Sequence, residues 1–328
     1  MTRRSILPRR SRGFTLVEAV LTIAILGIVA GMVAVFIRIP FLSYRDAVDR
    51  ADLTDQADLA LRRMARDIRL ALPNSVRVNT TGAHPGDHLE LLQTRSGARY
   101  LAAEDGVATS PALSFDDAAS RSFTALLPPS SFAEVRVGDF VVVYNLGPGM
   151  APADAYDLIG TGDVAGNVGG AGNKSGCPAT SSATAAGNIA RICAVGAVQN
   201  DPALNMEVRA ISLAGNPFAR QQTPLPSPLQ RFQVVSGPVS FYCAPDADGR
   251  LALWRAWDYP ILPDQAIPSG GKRALVATGL TSCDDIFSYG AAASQRTGLV
   301  RIALSLRGRA ESPAAIRLVH QVHVDNTP

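Results

Sequence analysis

The sequence predicts an α+β protein: a long N-terminal α-helix packed on an antiparallel β-sheet head with long loops. Three observations carry this. An apolar run over 14–37 contains no proline and gives about 24 helical positions, roughly 36 Å. An apolar stripe at helical spacing follows between 53 and 72. The carboxy-terminal third alternates apolar and polar residues between Gly/Pro/Asp turns. The predicted divisions are a basic leader (1–13), a hydrophobic helix (14–39), an amphipathic helix (40–73) and a β-rich head (74–328) with a Gly-rich loop (147–186).

The chain has 328 residues, 47% of them hydrophobic and 18% charged, a balance that fits a folded protein rather than a disordered one. The excess of basic residues is local. Arg3, Arg4, Arg9, Arg10 and Arg12 lie before Gly13, and without them 26 basic residues face 28 acidic ones. No Lys/Arg cluster with interleaved aromatics follows, so nucleic acid is not an expected partner.

The first segment reverses the order of a secretory signal. Basic leader, Gly13 and Phe14 come first, and an apolar helix long enough to span lipid comes after them. The positive leader favours a cytoplasmic start and a head on the far side. Glu18 is the anomaly, because a carboxylate in hydrocarbon costs a few kcal/mol and so marks a functional position by default. Cutting after Gly13 would leave Phe14 with a new α-amine, cationic near neutral pH, as a natural partner for a carboxylate. That carboxylate is Glu18 of the same chain or of a neighbouring subunit.

Gly13-Phe14-Thr15-Leu16-Val17-Glu18 resembles the processing motif of type IV prepilins and of the pseudopilins of type II secretion. The resemblance implies a type IV pilin-like fold. It implies cleavage after Gly13 by a membrane-embedded prepilin peptidase and N-methylation of Phe14. It also implies that Glu18 aligns an incoming subunit during assembly. Other major and minor pilins, an inner-membrane assembly platform and membrane lipid are the partners it implies. The chain would be a single-pass inner-membrane protein with a periplasmic head before assembly, and part of an extracellular pilus afterwards.

Pro40 is expected to kink or briefly break the helix near 38–41. Leu53, Ala57, Leu61, Met64, Ile68 and Leu72 then form one apolar stripe suited to packing on a sheet, with Asp58–Arg62 as an i,i+4 pair and Pro73-Asn74 as the stop. Gly27 and Gly31 form a GxxxG that permits close helix approach.

Strands are predicted at Val76–Val78, Leu89–Gln93, Ala98–Ala102 and within "VGDFVVVYN" at 137–145. Further strands are predicted at Phe232–Val235, Val239–Cys243, Leu251–Trp257, 298–308 and 315–324. In the 298–308 strand, Val300, Ile302, Leu304 and Leu306 are expected to face inward. The Gly/Ala/Ser-rich excursion 147–186 reads as an irregular surface loop. "GGAGNKS" within it fails as a phosphate loop, because Asn173 separates the glycines from Lys174.

Cys177, Cys193, Cys243 and Cys283 form no C-x-x-C, and no His lies near any of them, so a zinc site is not expected. An even number in an exported chain points to two disulfides. Three connectivities are open, and the nearest-neighbour pairing, Cys177–Cys193 with Cys243–Cys283, is preferred.

No catalytic constellation emerges. The histidines are His84, His88, His320 and His323, and no G-x-S-x-G or H-E-x-x-H is present. His320 and His323, three apart on a strand, fall on opposite faces. Trp254 and Trp257 do likewise, and the outward one is a candidate for partner contact beside the simpler reading of core packing. No enzyme activity, cofactor or metal is expected.

The stretches 57–78 and 318–328 resemble the O-type minor pilins of the mannose-sensitive haemagglutinin (MSHA) pilus system, with the W-type minor pilins and J-type minor pseudopilins as broader relatives. This resemblance implies a minor structural subunit in or at the tip of a type IV pilus, promoting its assembly and serving cell adhesion. A minor pseudopilin of type II secretion is the alternative, and a membrane-anchored surface-binding protein is a third reading.

Overall fold

The computed structural model describes residues 13–105, 110–126, 135–157, 177, 186–291, 296–308 and 314–328, with backbone alone at 38–42 and 291. A single helix, α1, runs from Leu16 to Arg69 over 54 residues, about 80 Å at 1.5 Å per residue. It continues through Pro40, so the short break expected there does not occur. A proline removes one N–H from the ladder, and the turns on either side hold the helix together.

The helix ends at Arg69, before the predicted stop at Pro73. The reason is competition from a strand. The Leu72 N–H donates to the Leu92 carbonyl at 2.7 Å, and the Thr94 N–H donates to the Leu70 carbonyl at 2.8 Å. The chain therefore leaves the helix by joining a sheet edge.

Twelve strands follow in the described residues. They are β1 (Arg77–Val78), β2 (His88–Tyr100), β3 (Ser122–Leu126), β4 (Phe140–Val142), β5 (Ile189–Asp201) and β6 (Met206–Leu213). After them come β7 (Arg231–Pro245), β8 (Leu251–Trp257), β9 (Lys272–Thr278), β10 (Phe287–Ala291), β11 (Thr297–Arg307) and β12 (Ala315–Asp325). Two pairs of predicted strands are fused. Leu89–Gln93 and Ala98–Ala102 belong to β2 and its end, and Phe232–Val235 and Val239–Cys243 are both β7. The register between β2 and β7 slips at Gln93, Thr94 and Ser96, beside Gly237, whose φ of 133° suits glycine. The polar interruption that read as a gap in each strand is thus a bulge within one ladder. The "VGDFVVVYN" stretch contributes a strand over Phe140–Val142 only.

The two long strands build two bodies. In the first, the N-terminal half of β2 and the C-terminal half of β7 continue into β1, β8 and β9. This surface and the separate β10-β11-β12 sheet cradle the second half of α1. The predicted helical stripe meets it: Ala57, Leu61, Met64 and Ile68 are buried in one core with Leu89, Leu91, Phe241, Leu253, Val300, Ile302, Leu304, Leu306, Val322 and Val324. The inward residues of β11 are those the alternation named.

The second body is a ring. Strand β2 pairs β3, β3 pairs β6, β6 pairs β5, β5 pairs β4, β4 pairs β7, and β7 returns to β2, all antiparallel. The sheet closes on itself as a six-stranded barrel filled by Tyr100, Phe123, Val141, Ile192, Ile211, Phe232 and Val234. Phe123 and Phe232 meet edge to face at 5.3 Å. Closure leaves the ring without free edges.

Cys177 is bonded to Cys193 on β5, with Cα atoms 4.7 Å apart, and Cys243 on β7 to Cys283, at 5.6 Å. Most of 147–186, with "GGAGNKS", lies outside the described residues. In its described beginning, residues 148–151 are exposed turn, as a surface loop would be, but 153–156 are not. Ala153, Asp154, Ala155 and Tyr156 are buried, and Tyr156 packs with Leu72, Phe140, Val142 and Ile261 against the outside of the barrel.

Candidate functional site

The N-terminal end is built by a helix start. Residues 13–15 are non-helical, and Thr15, in an extended conformation, caps α1. The Glu18 N–H donates to Thr15 Oγ1 at 3.3 Å. Thr15 and Glu18 have the spacing of a capping box. Glu18 is the acidic residue of the first turn, where the helix dipole favours negative charge. The Thr22 hydroxyl donates to the Glu18 carbonyl at 2.9 Å. The Glu18 side chain is exposed, one turn from Phe14, which is also exposed.

From Leu16 to Ile37 the helix has 22 residues apolar enough to cross a membrane, and none of that stretch is buried by the rest of the chain. A soluble core helix of such composition would be covered. Gly27 and Gly31 lie on this bare segment, and a Cβ added to either meets nothing within 4 Å. Nothing in the single chain therefore explains the glycines. The arginine-rich leader lies outside the described residues.

A second polar cluster, invisible in the sequence, sits inside the head. On β2, Leu89 and Leu91 face the helix, which turns His88 and Glu90 to the opposite side of the sheet. Across the ladder Glu90 pairs with Ser240, and the segment after β8 folds over both. The Tyr259 hydroxyl donates to Glu90 Oε1 at 3.1 Å and is hydrogen-bonded to the Ser240 hydroxyl. Ser240 Oγ lies 3.0 Å from His88 Nε2. A carboxylate can only accept, so donation runs from His88 through Ser240 and Tyr259 to Glu90. Arg77 completes the knot with Nε 2.8 Å from Glu90 Oε2, while its guanidinium lies 3.7 Å from the centre of the Tyr156 ring.

Burial lowers the His88 pKa to about 4, with the Arg77 charge acting in the same direction. Burial raises that of Glu90 against the opposing pull of Arg77. Ser240 is completely buried. The His–Ser contact is a sealed structural network and offers no substrate an approach.

The remaining candidates are dispersed. His320 and His323 lie on opposite faces of β12, the first half-buried and the second exposed. His84 pairs with Asp284 at the surface, 2.8 Å away. Neither tryptophan is the exposed contact residue considered above. Trp254 lies under Arg273 and donates to the Ala244 carbonyl at 3.2 Å, and Trp257 packs on the helix core under Arg255. Among the described residues no three His, Cys, Asp or Glu side chains are grouped to hold a metal.

A family model, the prokaryotic N-terminal methylation motif, matches residues 8–34. It covers the end of the leader, Gly13, Phe14, Glu18 and most of the bare apolar helix. With that helix and the antiparallel head behind it, the match supports a type IV pilin-like protein. No curated protein and no solved structure matches the chain.

Proposed function

We propose that this chain is a minor pilin of an MSHA-type type IV pilus. It is cut after Gly13 by prepilin peptidase, methylated on Phe14, and incorporated in or at the tip of the filament to promote assembly. The observation that carries this reading is the methylation motif at 8–34, which spans the start of a helix whose apolar half is wholly uncovered. That half needs lipid before assembly and other helices after it. The head is held away from the membrane by the same unbroken helix, and its disulfides suit an oxidising compartment.

Mass spectrometry of the mature amino terminus tests the reading. A chain beginning at N-methylated Phe14 is expected, and an intact leader would overturn it. Pseudopilin of a type II secretion system is the competing assignment, since the motif serves both. Deletion separates them, as loss of pili with normal secretion favours the pilus.

A further inference from the structure

The β2–β7 ladder ends on two arginines. Arg99 and Arg231 are direct partners across the strands. The Tyr100 N–H donates to the Gln230 carbonyl at 2.8 Å. The arginines are therefore a non-hydrogen-bonded pair, the kind whose Cα atoms approach to about 4.5 Å and whose side chains lie closest. Their neighbours Tyr100 and Phe232 fill the barrel, which turns both arginines outward, and both are exposed.

Like charges directly opposite each other on a sheet repel. Other arginines of the head are met by acids: Arg77 by Glu90, Arg95 by Asp139 and Arg255 by Asp67. Among the described residues neither Arg99 nor Arg231 has an acidic partner. Arg99 is held by neutral acceptors instead. Its Nε donates to the Leu229 carbonyl at 3.2 Å, and its Nη2 donates to Gln230 Oε1 at 2.6 Å. These bonds fix its guanidinium beside Arg231.

The pair borders an open recess of about 570 Å³. That volume suits a small organic ligand and is far more than a lone oxyanion fills. Pro226, Pro228 and the exposed Leu229 give the recess an apolar wall, and Glu104 lines it as well.

We infer that this recess binds an acidic saccharide, with the carboxylate or sulfate of the sugar held between Arg99 and Arg231. Guanidinium forks take such oxyanions through paired N–H···O bonds. An anion placed there also removes the repulsion that the pair otherwise carries. The sugar ring would lie against the proline and leucine wall, and Glu104, an acceptor only, suits ring hydroxyls. A peptide with clustered acids would set one of them against Glu104. No residue of α1 lines the recess, so binding is separable from assembly into a filament.

The test is isothermal titration calorimetry of the detergent-solubilised full-length chain. The probes are a galacturonic acid trisaccharide, a sulfated galactose trisaccharide, the neutral galactose trisaccharide, inorganic sulfate and a triglutamate peptide. One or both acidic trisaccharides should bind about tenfold more tightly than the neutral one, and their ranking tells carboxylate from sulfate. R231Q should lower that affinity about tenfold, with R99Q matching it and R231K recovering only part. R231Q keeps the Arg99 bonds to Leu229 and Gln230, so it reports on the charge and not on the loop. Unchanged thermal melting establishes that each variant is folded. No binding of either acidic trisaccharide, undiminished binding by R231Q, or binding of inorganic sulfate or the peptide as tight as that of the sugars would overturn the proposal.

Discussion

Asn74 and Asn326 are joined by two hydrogen bonds across almost the whole chain. The Asn74 N–H donates to Asn326 Oδ1 at 3.3 Å, and the Asn74 side-chain amide donates to the Asn326 carbonyl at 3.1 Å. Asn74 has φ 61°, the left-handed conformation that asparagine tolerates. Its side-chain amide also reaches the Asn145 carbonyl at 2.9 Å. The exit of the helix, the end of β12 and the segment after β4 are therefore tied at one point.

Replacing Asn326 by Ala removes Oδ1 and so leaves the half-buried Asn74 N–H without its partner, while the backbone carbonyl at 326 still accepts from the Asn74 side chain. A loss of about 1–3 kcal/mol in head stability is expected, read by chemical denaturation of the detergent-solubilised protein. An unchanged midpoint would show that water replaces the tie.

Asp67 and Arg255 form the strongest polar link between helix and sheet. Arg255 Nε lies 2.7 Å from Asp67 Oδ2, and both side chains are largely buried. Removing only the acid strands a buried cation, so Asp67→Ala should cost about 3–5 kcal/mol. Replacing both, as Asp67→Leu with Arg255→Met, should recover most of it. A double variant as unstable as the single one would mean that packing, not charge, dominates there.

His88 makes head stability depend on pH. Its pKa is near 4 in the folded chain, below the ordinary 6.5. The unfolded state therefore binds the proton first, and this contribution is complete above about pH 6.5 and lost as pH falls towards 4. Glu90 acts the other way, since its raised pKa favours the folded state where the carboxyl is protonated. The comparison of wild type with His88→Gln isolates the histidine. Over that interval wild type should lose up to about 3 kcal/mol more than the variant. Parallel curves would refute the burial cost assigned to His88.

Glu18→Ala should leave membrane insertion and cleavage after Gly13 intact while abolishing the chain's support of piliation. Its capping partner Thr15 and the apolar run remain, so the helix itself survives. Normal pili in this variant would remove Glu18 from assembly.

Local patterns were legible in the sequence wherever one face of an element meets the core. The stripe from Leu53 to Ile68 and the alternation of Val300, Ile302, Leu304 and Leu306 both mapped onto the core, while Leu72, at the end of that stripe, lies past the helix in another cluster. Long-range closure was not. Nothing in "HLELLQT" distinguishes a solvated polar face from one covered by Tyr259 and its neighbours, so the burial of His88 and Glu90 was not legible. Closure of the barrel depends on Arg99 and Tyr100 pairing with Leu126 and Ala125, a contact between distant segments that no periodicity encodes. The early end of α1 was hidden for the same reason, because a sheet edge took the backbone groups of the last turn. At the N-terminus the chemistry was local and linear, and a few consecutive residues sufficed.

The continuity of β2 and β7 has a mechanical meaning. Both strands start in the helix-bearing body and pass into the barrel, or the reverse, without an intervening loop. The helix-bearing body and the barrel are joined through these two adjacent, hydrogen-bonded rails. Separating the bodies would require sliding that ladder apart as a whole, where two beads on a flexible linker would simply swing. The two bodies of the head share one continuous ladder.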